Sequence, residues 1–227
     1  MDNSKALKLK NKSSVTQLLI AIAGTFAVAY GVFLFNQHLL RTFSLPSRMI
    51  LMIVTQWLLF LVPGLLMLVN REKISSLGFT KENLGRQIGI GLLIAVSMSL
   101  VLTVLPILLG FKDLVGDESY TEIWQFAFEF IYLLFGVALA EELIFRGYIF
   151  HKLLEIKNSR WFAIIISSLL FGLFHIFNGN IIQIFATALI GVLYCIFREK
   201  IKGCTLLSLI IAHGVYDFLI RLWVSVL

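Results

Sequence analysis

Apolar and polar positions along this chain fall in blocks, with no short period of 2. The runs "QLLIAIAGTFAVAYGVFLF", "MILMIVTQWLLFLVPGLLMLV" and "IGIGLLIAVSMSLVLTVLPILL" each approach the roughly 20 residues that cross a hydrocarbon core as a helix. A membrane β-barrel shows short alternating segments instead. The pattern predicts helices near 15–37, 49–69, 88–109, 126–154, 161–177, 181–197 and 204–226. The expected fold is therefore all-α: a polytopic transmembrane bundle of about seven helices. Three parts are expected: a basic tail over 1–14, three N-terminal spans over 15–120 and a four-helix core over 121–227. "REKISSLGFTKENLGRQ" (71–87) is the longest polar connection, and Ser75, Ser76 and Gly78 suit a short turn and cap there. No internal repeat, low-complexity tract or soluble domain is visible.

Composition agrees. The chain is 59% hydrophobic and 14% charged, against about 45–50% and 25% for soluble domains. The net charge of +6 reads as topology, with no nucleic-acid partner implied. Lys5, Lys8, Lys10 and Lys12 precede the first span. Arg71, Lys73, Lys81 and Arg86 lie between the second and third. Arg146, Lys152, Lys157 and Arg160 surround the fourth connection, and Arg198, Lys200 and Lys202 precede the last span. Seven spans put all of these on one side. The other side holds Arg41, Arg48 and Lys112 with the acidic Asp113, Asp117, Glu118 and Glu122. By the positive-inside rule the N-terminus is cytosolic. The first apolar run resembles a signal peptide as far as "AVAY" but continues to Phe35, so an uncleaved first helix is expected. Cys195 and Cys204 lack metal-site or redox spacing and read as small apolar residues at helix ends.

The chemistry lies in "AEELIFRGY" (140–148), which follows the uncharged "FIYLLFGVAL". Charges deep in a bilayer are costly, and they mark functional candidates. Glu142 and Arg146 are spaced i,i+4 and suit an ion pair. Glu141 has Phe145 at that spacing and no local cation. Its burial without a cation is what a general base working near neutral pH needs. His175 lies as far after the Asn158–Ser159 turn as Glu141 lies before it, so antiparallel helices bring both to one depth. His213 approaches the same layer from the Gly203 turn. Asp217, at i+4 from His213, is expected to accept the imidazole's Nδ1 proton. Taken singly, each has a plainer reading: Glu142–Arg146 as a structural ion pair, His175 as packing among aromatics, and His213 with Asp217 as an interhelical hydrogen-bonding pair. Glu129 reads as a packing residue, His38 and His151 as interfacial, and Gly85 with Gly89 as a lone GxxxG.

At these residues the chain resembles the CPBP intramembrane proteases, which comprise CAAX prenyl endopeptidases and bacterial bacteriocin-processing or self-immunity (Abi-type) proteins. Their pattern is EExxxR, FxxxH and HxxxN or HxxxD on successive core helices. Here these are Glu141, Glu142 and Arg146; Phe171 and His175; His213 and Asp217. The resemblance covers roughly 121–227. It implies peptide-bond hydrolysis within the membrane, with Glu141 activating water and His175 and His213 holding that water and stabilising the oxyanion. Where relatives carry Asn at 217, the amide donates to the oxyanion; an ionised Asp217 cannot, so Asp217 is expected either to act protonated or to orient His213 instead.

The family has been described both as metalloprotease and as glutamate-dependent. No cofactor is favoured, and zinc remains an alternative with Glu141, His175 and His213 as its ligands. The expected partners are the bilayer and a peptide or lipidated protein within it, from a cytosol-facing site. The location is the cell membrane, and the Lys- and Ile-rich small chain suggests a bacterial plasma membrane. A silent scaffold or immunity protein of the same family is the alternative function. A transporter using the buried charges as a relay is disfavoured by the lack of an inverted repeat.

Overall fold

The computed structural model describes residues 3–116, 120–177 and 181–227, with side chains from residue 12 onward. Asp117 and Glu118, and the side chains of Lys5, Lys8 and Lys10, lie outside the described residues.

The described residues are helical with no strand. Helices α1 (Asn3–His38), α2 (Leu45–Leu58) and α3 (Leu61–Val69) are followed by α4 (Leu84–Leu108), α5 (Ile123–Ile156), α6 (Arg160–Phe174), α7 (Ile181–Lys200) and α8 (Leu206–Val226). Among the described residues six helices are long and apolar enough to cross a membrane, or up to seven if α2 and α3 form one broken span. This is a multi-pass membrane protein. Helices suit this solvent because hydrocarbon offers backbone groups no partner, and a helix satisfies its own.

Two details differ from the sequence reading. The expected boundary at residue 14 falls inside α1, which runs unbroken from Asn3. The expected helix over 49–69 bends by 45° between α2 and α3. Pro63 explains the bend: it has no N–H for the Leu59 carbonyl and its ring presses on that carbonyl. Pro106 acts similarly on Leu102, and there α4 widens into a π-helical segment over Leu100–Val104. The Ile74–Leu77 turn ends on Gly78 at φ 100°, as the Ser-Ser-x-Gly spacing suggested. The Gly85/Gly89 pair packs against nothing: a Cβ at either would meet open space. Close contact falls to Gly91, where a Cβ would lie 2.6 Å from the Ser208 carbonyl of α8.

Helix α5 is the axis of the molecule, in contact with α1, α2, α6 and α8. Residues 140–150 are buried without interruption, as befits a helix packed on every side. The α5–α8 crossing is tight. A Cβ on Gly214 would lie 2.6 Å from the Leu134 Cα, so only glycine lets α8 come this close. The residue beside it, His213, is thereby carried up to the carboxylates of α5.

At the basic end, Lys152 is 3% exposed and lies 2.5 Å from Glu72 and 3.1 Å from Glu155. Ser14 on α1 donates to Glu155. This paired cluster closes the end of α5.

Candidate active site

Glu141 and Glu142 sit on the single α-helical turn Leu139–Glu142. π-helical segments flank it at Tyr132–Ala138 and Leu143–Ile149. Such wide turns recur at functional sites. Adjacent residues on one helix point about 100° apart, so the two carboxylates meet different neighbours.

Glu142 is fully buried. Its Oε1 accepts from Arg146 Nη1 at 2.8 Å and lies 2.9 Å from His213 Nδ1. The Arg146 guanidinium lies 4.0 Å from the Phe171 ring centroid and 5.4 Å from that of Tyr194. Two aromatic faces thus share the charge with one carboxylate. Phe171, the aromatic of the FxxxH motif, is the common platform. Its ring also meets Phe145 at 5.2 Å, His175 at 4.9 Å and His213 at 5.9 Å between centroids.

Glu141 makes no ion pair with Arg146. Its Oε2 is buried without a hydrogen-bond partner and lies 3.8 Å from His213 Nε2. Glu141 is also the cluster member that lines a cleft of about 770 Å³, together with Gln56, Leu59, Asn36, Arg41 and Phe174.

His213 is 5% exposed. Its Nε2 lies 3.2 Å from Asp217 Oδ2. The sequence reading gave Asp217 the Nδ1 side; the structure gives that side to Glu142. Position i+4 does bring Asp217 to the ring, but the neighbouring helix decides which nitrogen it meets. Since Oε1 of Glu142 already accepts from Arg146, it serves as an acceptor toward Nδ1–H, which leaves Nε2 facing Glu141 and Asp217.

His175 closes α6, where α-helix gives way to a 3₁₀ turn over His175–Phe177. Its Nδ1 lies 2.9 Å from the Phe171 carbonyl. A carbonyl only accepts, so Nδ1 carries a proton, and in the neutral tautomer Nε2 is an acceptor. His175 lies within electrostatic range of Glu141, as do His213 and Asp217. All four predicted site residues are thus brought to one region of the bundle.

Among the described residues no group of three His, Cys, Asp or Glu side chains is arranged to hold a metal ion. The alternative zinc set of Glu141, His175 and His213 is not gathered as three ligands, and both His213 nitrogens face carboxylates.

The cleft also departs from the sequence reading. It is lined along α1 from Ala29 to Arg41 and at the end of α6 by Phe174 and Phe177. That is the end of the bundle opposite the basic loops, whereas the sequence reading had the site face the basic, cytosolic side. Depth is legible from spacing along helices; the open side depends on how α1 and α2 splay. The sequence analysis also passed over Tyr194, which no pattern distinguishes from a packing aromatic. It passed over Gln56 too, although an amide amid "MILMIVTQWLLF" was a visible signal.

Residues 123–219 match the family model described as Rce1-like, type II CAAX prenyl endopeptidase. No curated protein and no solved structure matches the chain.

Proposed function

We propose, from the match of residues 123–219 to the Rce1-like family of type II CAAX prenyl endopeptidases, that the chain is an intramembrane endopeptidase that hydrolyses a peptide bond of a membrane-associated peptide or lipidated protein. One observation carries the reading. Of two adjacent buried glutamates, Arg146 takes Glu142, while Glu141 pairs with no Arg or Lys among the described residues, has His213 Nε2 at 3.8 Å and lines the cleft.

In this mechanism a water in the cleft gives a proton to Glu141 as its oxygen attacks the scissile carbonyl carbon. In its neutral tautomer His175 accepts the water's other proton in a hydrogen bond through Nε2, which suits it to hold the nucleophile. A neutral ring with Nδ1–H given to Phe171 has no second proton for the oxyanion. That role falls to His213, whose Nε2–H, when protonated, is the donor nearest Glu141. Glu142 fixes the imidazole through Nδ1, and Asp217 sets the charge beside Nε2. Collapse of the tetrahedral intermediate breaks the C–N bond, and Glu141 returns its proton to the leaving nitrogen. The products are a carboxylic acid and an amine, and the enzyme regains its starting state. No metal is needed in this scheme. In this reading the N-terminus is taken as cytosolic and the membrane as a bacterial plasma membrane; the Lys and Arg of the basic loops support the orientation.

The test is cleavage of an internally quenched, farnesylated peptide ending in a CAAX sequence by the purified full chain in detergent. Glu141→Gln keeps shape and burial but cannot take the proton. Its rate is expected to fall about 10²–10⁴-fold with folded protein unchanged. A Glu141→Gln protein that cleaves at the wild-type rate overturns the assignment.

A further inference from the structure

Gln56 is a polar amide in the apolar helix α2, on the wall of the cleft that reaches Glu141. Its Nε2 donates to the Tyr132 hydroxyl on α5 at 2.9 Å. Tyr132 is itself steadied by stacking on Phe128, with centroids 5.8 Å apart and planes 9° apart. Gly136 makes room for the pair. A Cβ there would lie 3.2 Å from the Tyr132 ring and 3.8 Å from Gln56 Cγ. The amide keeps a second N–H and an Oε1 beyond its bond to Tyr132. Asn36 of α1 is a second amide on the same cleft wall, and its Oδ1 is buried without a hydrogen-bond partner.

A peptide must be unwound before its backbone carbonyl can be attacked. Unwinding in an apolar cleft strips its N–H and C=O groups of partners, and the membrane supplies none. A side-chain amide offers one donor and one acceptor side by side, which is the complement of an extended backbone. We propose that Gln56, oriented by Tyr132 and aided by Asn36, binds the backbone of an extended substrate peptide next to the scissile bond. The inference rests on the endopeptidase reading and gives the N-terminal helices a share in substrate binding. Gln56 and Asn36 touch the substrate; Tyr132 is a positioning residue.

The experiment uses the purified full chain and the farnesylated CAAX peptide, with two readouts: cleavage by the wild type, and equilibrium binding to the Glu141→Gln protein. Gln56→Leu is expected to raise both KM and Kd about tenfold, as for one lost hydrogen bond, with kcat changed less. Tyr132→Phe is expected to give part of that effect. A probe with one backbone amide near the scissile bond replaced by an ester is expected to bind the Gln56 protein more weakly than the amide probe, and to show a smaller penalty against Gln56→Leu. A purely structural role for Gln56 would not remove that difference. KM and Kd within twofold of the parent, an ester penalty unchanged by Gln56→Leu, or a peptide that binds neither protein overturns the proposal. Failure of the hydrolytic reading looks different, as absent cleavage or full activity in Glu141→Gln, and the binding comparison then still decides for or against Gln56.

Discussion

His213 Nδ1 lies 2.9 Å from Glu142 Oε1, so the glutamate paired with Arg146 also holds the imidazole. The EE motif thereby divides its labour: the second carboxylate is a structural hub between α5 and α8, and the first is left for the cleft. This relationship ranks two substitutions. Glu142→Gln leaves Arg146 buried without its carboxylate and weakens the hold on Nδ1. It is expected to lower both folded yield and cleavage, the latter by about 100-fold or more. Asp217, about a quarter exposed and near Nε2, is replaceable by a neutral amide. Asp217→Asn is expected to cost less than about tenfold in rate with normal yield, since an amide N–H there can donate to the oxyanion. Size-exclusion yield and initial rates check both. An Asp217→Asn protein worse than Glu142→Gln would show that the hub lies at 217.

Arg146 should tolerate no substitute. Removing it strands Glu142 in the core, which typically costs about 3–5 kcal/mol. Lysine restores the charge but not the flat guanidinium that lies against Phe171 and Tyr194. Both Arg146→Ala and Arg146→Lys are expected to accumulate poorly and melt earlier. Wild-type melting in the lysine variant would show that charge alone suffices.

Gly214 tests how α8 is seated. An added methyl would lie 2.6 Å from a backbone atom of α5, where nothing flexible can yield. Gly214→Ala is expected to push α8 outward and carry His213 away from both glutamates. Cleavage should fall by about tenfold or more from a displacement near 1 Å, whereas Gly85→Ala, which meets open space, should leave it unchanged. Comparing rates of these two alanine variants at equal yield is the check.

Much of this was legible before any coordinates. Seven apolar blocks gave the spans because a bilayer fixes helix length, and i,i+4 spacing gave the Glu142–Arg146 pair because a helix fixes which residues stack. Equal distances from a turn brought Glu141 and His175 to one region. What stayed hidden depends on contacts between helices. Which nitrogen of His213 meets which acid is set by the α5–α8 crossing. The bend at Leu59 and Phe60 needed the weight of one proline, Pro63, against a long apolar run. The cleft wall uses Gln56 and Asn36 from helices that carry none of the motif residues, so spacing within the core was silent about them.

Cys204 offers a control outside the membrane-spanning segments, in the connection between α7 and α8. Burial is the main cause that pushes the Cys204 thiol up, to about 11. The thiolate is the reactive form, and at pH 8 only about one thiol in a thousand is ionised at that value. In a Cys195→Ala background, maleimide labelling of the folded protein is expected to be slow at pH 8. It should rise about tenfold per pH unit up to about 11, while denatured protein labels at once. Fast labelling of the folded protein at pH 8 would place Cys204 at the surface.

The metal question turns on the same imidazoles. A three-ligand zinc site needs each histidine to offer an unprotonated nitrogen toward one point, with a carboxylate oxygen beside it. His213 has Glu142 at Nδ1 and Asp217 at Nε2, so a metal would have to displace Asp217 and compete with a charge-assisted contact. His175 does keep Nε2 free, because Nδ1 is given to the Phe171 carbonyl. Glu141 would then have to serve as ligand and base together. The glutamate scheme therefore predicts that purified enzyme keeps its cleavage rate after dialysis against a strong chelator and carries well under one zinc per chain by elemental analysis. Asp217→Ala sharpens the comparison. If zinc is the true cofactor, removing the competitor for Nε2 should raise zinc occupancy and restore or increase activity with added zinc. If Glu141 works alone, the variant should lose rate and gain nothing from the metal. Inactivation by chelation with recovery on zinc addition would overturn the metal-free mechanism and leave Glu141, His175 and His213 at the site in the new role of ligands.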